Sequence, residues 1–442
     1  LLMVGRKEDA LAAAARAVEA EPAEADFKNT HAAALRAGGR DGEAEAVLRA
    51  AIELDPGHFE SHRNLAVLLL DAGRLAEAAD GFRRLVDLDP AGAVGHANLA
   101  VTLRRQGRIE DAVPHYRKAV ELAPERALYH SNLLFILNGS PEVTRDELLA
   151  EHRRWNERHA APLAGSIAPH YNDRDPDRKL RIGYVSPDFR DHPMGRYVAP
   201  LLANHDAASV EPVCYASVRS PDDMTRRLRE FGHQWRDVVR ESDDRVVEMV
   251  REDRIDILVD LAGHMARNRL AVFARKPAPV QITWAGYPNT TGLDAMDFLI
   301  GDPTRTPDGD DTLFSETVLR LPRSAVCFTP PEAAPGPGAP PSAATGVVTF
   351  GSLNDPSKLT REVIALWARV LGENPGARLI LKYPGLEDGG TADHLIGRFT
   401  AAGVESGRIE LRGASPSSEV LAAYADIDIA LDPFPYSGDM TT

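Results

Sequence analysis

The alternation of apolar and polar positions changes period twice along the chain. Through the first third, alanine and leucine recur at helical spacing, and the whole pattern returns every 34 residues. Gly5, Gly39, Gly73 and Gly107 are each followed by arginine; Ala10, Ala44, Ala78 and Ala112 keep the same interval, as do Pro22, Pro56, Pro90 and Pro124. Glycine ends the first helix of a pair where a positive φ is needed. Alanine lets two helices approach, and proline is expected to open the next helix at a position that needs no N–H donor. The pattern predicts stacked helix pairs that bury a core only against their neighbours.

After Ser140 the repeat is lost. Val143 to His159 reads as one amphipathic helix with Leu148, Leu149, His152 and Trp155 towards one side, and residues 162–176 read as a bridge. From Leu180 the period shortens to strand-like runs, Leu180–Val185, Val213–Ala216, Ile255–Leu261, Val280–Trp284 and Phe298–Ile300. Helical stretches fall near Arg196–Ala203, Asp223–Phe231, Arg245–Arg251 and Arg267–Phe273. Short apolar strands with helical crossovers imply a parallel sheet covered on both faces. Residues 329–345 hold Pro330, Pro331, Pro335, Pro337, Pro340 and Pro341 and form a linker by composition. A second α/β series follows, with strands Val347–Ser352, Arg378–Lys382, Arg408–Arg412 and Ile427–Leu431 and helices Arg361–Leu371, Thr391–Ala401 and Ser417–Tyr424. The expected domains are a repeat array over 1–139, a helical joint over 140–178, a first lobe over 179–328, the linker over 329–345 and a second lobe over 346–442. Two such lobes would leave a cleft between them. The second is expected to be incomplete at Thr442 and, for that reason, to bind nucleotide sugar weakly or not at all.

Composition narrows the function. A net charge of −15 over 442 residues argues against a general nucleic-acid or anionic-membrane binder. Cys214 and Cys327 form no disulfide framework and have no metal-ligand spacing. No apolar run reaches the roughly 18 residues needed to span a bilayer, so the expected compartment is the cytoplasm.

Candidate chemistry begins in the loop after the first strand, Ser186-Pro187-Asp188-Phe189-Arg190-Asp191-His192-Pro193, because ligands of open α/β sheets collect at the carboxyl ends of strands. By position alone, His192 divides evenly between a functional group and a surface loop residue. In the repeat array Asn64, Asn98 and Asn132 stand one period apart, with Thr30 in the same place one repeat earlier. An amide both donates and accepts, so this ladder fits either a bound peptide backbone or ties between repeats. His62, His96 and His130 also repeat, but without the acid or cysteine partners a metal array needs.

The 34-residue phase resembles the tetratricopeptide repeat. Four further segments carry a wider resemblance: Gly183-Tyr184-Val185-Ser186 with Asp188-Phe189 and His192-Pro193; Pro277-Ala278-Pro279-Val280-Gln281 with Trp284, Gly286-Tyr287-Pro288 and Thr290-Thr291-Gly292; Phe350-Gly351-Ser352 with Lys358; and Leu431-Asp432 with Gly438 and Thr441-Thr442. Together with the repeats they resemble the O-GlcNAc transferase family, including its bacterial and SPINDLY-like branches. That resemblance implies an α-helical tetratricopeptide solenoid followed by an α/β GT-B body of two Rossmann-like lobes, here with a truncated second lobe. It implies inverting transfer of a sugar to Ser/Thr hydroxyls of proteins without a metal or other cofactor. UDP-GlcNAc is the expected donor, GDP-fucose the alternative, and a non-catalytic repeat scaffold the opposed reading.

The resemblance also assigns residues. His192 would act at the reacting centre, either taking the acceptor's proton or orienting substrate, and Lys358 would neutralise the diphosphate. Thr441 and Thr442 would cradle the β-phosphate, with Asn354 and Tyr287 on the donor side. Acceptor proteins or peptides would lie along Asn64, Asn98 and Asn132, with His264 as a further acceptor contact. Asp426-Ile427-Asp428 reads as strand punctuation rather than a metal motif. Three departures bear on the donor: Val420 where a histidine near the base is common, Asp355 where an amide is common, and Asp439 ahead of the threonines.

Overall fold

The computed structural model describes residues 6–330, 334–336, 338–438 and 440. It divides into two compact units, one joining residues 1–124 with 334–442 and the other holding residues 125–333.

The first unit begins with seven helices: α1 (Lys7–Ala20), α2 (Ala25–Ala37), α3 (Asp41–Leu54), α4 (Phe59–Asp71), α5 (Leu75–Leu88), α6 (Ala93–Arg105) and α7 (Ile109–Leu122). Each packs against the next. Ala44, Ala78 and Ala112 are fully buried, as close helix crossing requires. Gly39, Gly73 and Gly107 follow α2, α4 and α6 with φ near +75°, the left-handed geometry that penalises a Cβ. Gly5 lies outside the described residues. The prolines differ from expectation: α2, α4 and α6 start at Ala25, Phe59 and Ala93, so Pro22, Pro56 and Pro90 sit in the preceding turns and not inside the helices.

The second unit opens with α8 (Ala127–Leu137) and α9 (Arg145–Trp155). The last repeat-phased helix therefore belongs with the body that follows it. Thr144 and Glu147 form a capping box that starts α9. The predicted long helix is shorter than expected, continuing after Trp155 as a π-turn over Asn156–Ala160 and a 3-10 turn over Ala161–Ser166. The sheet of this unit has seven strands: β1 (Leu180–Ser186), β2 (Val210–Ala216), β3 (Gln234–Asp237), β4 (Ile257–Asp260), β5 (Val280–Trp284), β6 (Phe298–Gly301) and β7 (Thr317–Arg320). Their order is β3-β2-β1-β4-β5-β6-β7, all parallel. Helices α10 (Pro193–Ala203), α11 (Asp223–Glu230), α12 (Asp243–Glu252) and α13 (Leu270–Phe273) lie between strands in sequence. Strands β3 and β7 escape the hydrophobic pattern because both are edges with half-exposed, polar sequences. Helix α13 starts later than the pattern predicts, since Arg267 adopts φ +62°, which no helix accommodates.

The first unit resumes with α14 (Ser342–Thr345), α15 (Arg361–Glu373), α16 (Gly389–Ala401) and α17 (Ser417–Val420). A parallel sheet of β8 (Thr349–Ser352), β9 (Arg378–Lys382), β10 (Ile409–Arg412) and β11 (Ile429–Ala430) runs in the order β10-β9-β8-β11. Phe350, Val363, Trp367, Leu371, Leu379 and Phe399 form its core. The solenoid packs on this lobe. The Ala76 N–H donates to Asp388 (3.3 Å), and Arg398 donates to the Gly107 carbonyl (3.2 Å). Among the described residues no helix is long and apolar enough to cross a membrane.

Candidate functional site

In both sheets the chain reverses its direction of winding beside one strand. In the second unit, β1 lies between β2 and β4; in the first, β8 lies between β9 and β11. Ligands of open α/β sheets bind at such points, outside the carboxyl ends of the strands. His192 follows β1, and Lys358 follows β8.

His192 is the N-cap of α10, its Nδ1 accepting the Met194 N–H at 3.2 Å. The helix starts at Pro193, ahead of the expected Gly195, because proline suits the first turn. Gly195 remains necessary, since a Cβ there would lie 2.1 Å from the Arg190 carbonyl oxygen. With Nδ1 acting as acceptor, the neutral ring carries its proton on Nε2. Asp188, buried and bonded to Arg190 at 3.2 Å, places Oδ2 3.9 Å from Nδ1. Burial lowers the His192 pKa while Asp188 opposes the shift, so the ring is neutral at pH 7. In this state His192 offers an N–H donor. To act as a base through Nε2 the ring must adopt its other tautomer, giving up the Met194 cap and turning an Nδ1 proton towards Asp188.

His264, expected as an acceptor contact, faces the interior of the unit. It is fully buried; Nε2–H donates to the Thr291 carbonyl (2.8 Å), and Nδ1 accepts from the Ser131 hydroxyl (3.0 Å). Tyr287, expected on the donor side, is likewise buried. Its hydroxyl donates to His152 Nε2 (2.9 Å) and accepts from Asn138 Nδ2 (2.7 Å), while His152 Nδ1–H donates to the Leu148 carbonyl (2.7 Å). Both are thus struts between α8, α9 and the loops at the strand ends, and both fall where the sequence shows only loop chemistry. Gly286 lets its loop close up, because a Cβ would meet the Leu261 carbonyl oxygen at 2.0 Å. Two buried carboxylates hold the same loops. Asp260 accepts the Ala262 and Gly263 N–H groups and the Thr283 hydroxyl, and Glu316 accepts the Thr291 N–H and the Thr290 hydroxyl.

On the β8 side, Lys358 ends a 3-10 turn (Pro356–Lys358) capped by Asp355. Its Nζ lies 2.9 Å from the Ser437 carbonyl and 4.3 Å from the centre of the Tyr436 ring. Asn354 is buried and donates to Ser352 at 3.3 Å, so it braces the turn from the strand side. Thr441, Thr442 and Asp439 lie outside the described residues. Val420 packs against Leu353, Ile380, Ala423 and Ile427. Asp426 pairs with Arg412 (2.6 Å), and Asp428 accepts from Ser342 and Thr349, which leaves Asp426-Ile427-Asp428 a structural element. Among the described residues no cluster has the ligands for a metal ion.

The asparagine ladder divides. Asn64 donates to Asn29 across the repeat boundary (2.8 Å), and Asn98 donates to the Val94 carbonyl of its own helix (3.0 Å). Asn132 is half-buried, and Thr30 is exposed. Asn64 also accepts from Arg63 (3.5 Å), so both ends of its amide are engaged, and the tie between repeats is realised at Asn64.

Known proteins resolve the family. The model of glycosyl transferase family 41 matches residues 161–327, and the tetratricopeptide repeat model matches 1–59, 29–93 and 64–127. A Thermobaculum terrenum O-GlcNAc transferase mutant of solved structure is 37% identical with TM-score 0.86, over 94% of this chain and 79% of that one. The chain belongs to the O-GlcNAc transferase family. A Solanum lycopersicum relative, described as a probable UDP-N-acetylglucosamine–peptide N-acetylglucosaminyltransferase SPINDLY, is 39% identical over 320 residues. That match covers 70% of this chain and 34% of the relative. A Caenorhabditis elegans UDP-N-acetylglucosamine–peptide N-acetylglucosaminyltransferase is 33% identical over 149 residues, 33% of this chain and 13% of its own. The chain thus spans about a third of the length of the tomato relative. Within this family framework, sequence reasoning missed Asp188 as the carboxylate facing His192. It flagged Asp355 only as a departure and not as a cap.

Proposed function

We propose that this chain carries the transferase machinery of a protein O-glycosyltransferase that moves GlcNAc from UDP-GlcNAc to Ser/Thr hydroxyls. One observation supports this most: a capping histidine and a lysine-bearing turn each follow the strand at the reversal point of their own sheet. Transfer from a nucleotide sugar needs positive charge to meet the diphosphate as the glycosidic bond breaks, and it needs a group to direct the attacking oxygen. Lys358 supplies the first. His192 supplies the second, as an N–H donor in its resting tautomer. Acceptor chains lie along the solenoid, where the amides of the ladder meet main-chain groups.

The test is incubation of the chain with UDP-GlcNAc or GDP-fucose, scored by donor hydrolysis and transfer to protein, alongside Lys358→Ala. Loss of a transition-state electrostatic contact costs on the order of 100-fold or more in rate. Wild-type turnover in the variant would refute the role of Lys358. Turnover of GDP-fucose alone would make the chain a fucosyltransferase, and nucleotide-sugar binding without turnover of either donor would favour a scaffold.

A further inference from the structure

Asp355 stands three residues ahead of Lys358. Unpaired, its charge would oppose any phosphate brought to that lysine. It is not unpaired. Oδ1 accepts the Ser357 N–H (2.9 Å), while Oδ2 lies 3.2 Å from Nη1 of Arg104 and accepts the Tyr383 hydroxyl at 3.1 Å. Arg104 comes from the solenoid, at the end of α6. Both partners are largely enclosed, with side chains 21% and 19% exposed. Although burial opposes it, Asp355 raises the Arg104 pKa and keeps the guanidinium charged. The backbone makes the same junction: a Cβ on Gly107, in the turn after α6, would lie 3.1 Å from the Pro356 carbonyl oxygen. One and two repeat periods before Arg104 the chain has Leu70 and Arg36, so the position is not held to one residue type by the repeat, and only at Arg104 does its side chain reach a carboxylate of the lobe.

We propose that Arg104 is a positioning residue for Lys358: its pairing with Asp355 makes that carboxylate the cap of the lysine's turn and cancels its charge beside a bound diphosphate. The solenoid thereby supports the donor-binding turn as well as offering a surface to acceptors. This rests on the reading of Lys358 as the diphosphate contact. The experiment compares wild type, Arg104→Gln, Asp355→Asn and the double variant by two measurements. The first is hydrogen exchange of the segment 353–360, which needs no ligand. Arg104→Gln leaves an enclosed carboxylate without its cation, so exchange should quicken roughly tenfold. Asparagine still caps a turn without charge, so the double variant should return close to wild type. Unchanged exchange in Arg104→Gln, or no rescue in the double variant, would overturn the proposal. The second is calorimetric titration with UDP and with GDP, including Lys358→Ala. Arg104→Gln should weaken binding and Asp355→Asn restore it. Nucleotide binding unaffected by Lys358→Ala would instead overturn the diphosphate reading, whatever the exchange result.

Discussion

Acidification from pH 7 to 5 should destabilise the second unit, and the size of the loss follows from three buried groups. His152 has no exposed surface, and burial pushes its imidazole down to about 4. His264, against Trp155, His152 and Tyr287, is pushed well below its ordinary range by burial, with His152 adding to the effect. Both rings stay neutral in the folded protein while their unfolded counterparts take up protons below about pH 6.5. The unfolded state then binds more protons, and stability falls as pH falls, by about 1.4 kcal/mol per pH unit for each ring. Across pH 7 to 5 that is roughly 2 kcal/mol apiece. Asp260 acts in the other direction. Burial pushes its carboxyl up to about 6, so the folded state gains a proton first and recovers about 1 kcal/mol. The net loss is about 3 kcal/mol. His130, His159 and Glu151 pack beside these rings, and His159, also lowered by burial, shifts the result further in the same direction. Urea unfolding at the two pH values reads the loss through tryptophan fluorescence, three of the four tryptophans lying in this unit. His152→Gln should remove about 2 kcal/mol of the pH-dependent difference. An NMR titration that places the His152 imidazole at its ordinary pKa, or an undiminished pH effect in the variant, would refute the reasoning.

Other expectations test the supports of the candidate site. Tyr287→Phe strands His152 Nε2 and an Asn138 donor in the interior, so thermal denaturation should show a loss of about 1–3 kcal/mol; an unchanged midpoint would show that water replaces the hydroxyl. Gly286→Ala, which would drive a Cβ into the Leu261 carbonyl, should give a second unit that fails to fold, read by loss of near-UV circular dichroism. Replacing Asn64, Asn98 and Asn132 together by alanine should weaken modification of acceptor proteins while sparing donor hydrolysis, each amide contributing of order 1 kcal/mol. Equal loss of both activities would assign the amides a structural role.

The solenoid and the order of strands and helices were legible in the sequence because they rest on local periodicity: a glycine at each left-handed turn between the repeat helices, an alanine at their crossings, a short apolar run for every central strand. Where the signal failed, a tertiary contact had replaced a local one. The edges β3 and β7 carry too little apolar character to announce themselves, since an edge needs only one neighbour. The positions of His192 and Lys358 were readable from motif and strand end. The inward bonding of His264 and Tyr287 was not readable, because a loop polar group facing a ligand and one facing a buried partner look alike in sequence. Only Ser131, Asn138 and His152, distant along the chain, decide between them.

Those buried partners bear on how the loops of the second unit are held. A site that stabilises developing charge must fix its dipoles beforehand, because reorganisation during reaction forfeits the gain. At the ends of β4 and β5 the fixing is internal: Asp260 and Glu316 accept backbone and hydroxyl donors from the loops, and the imidazoles fill the space behind them with every ring nitrogen engaged. The lysine turn after β8 relies on another arrangement. Its cap, Asp355, depends on a guanidinium carried by the solenoid helix α6, so the geometry of Lys358 is only as firm as the seating of α6 on the lobe. A change that loosens the solenoid near Gly107, such as loss of the Arg398 bond to its carbonyl, therefore acts directly on the turn that carries Lys358.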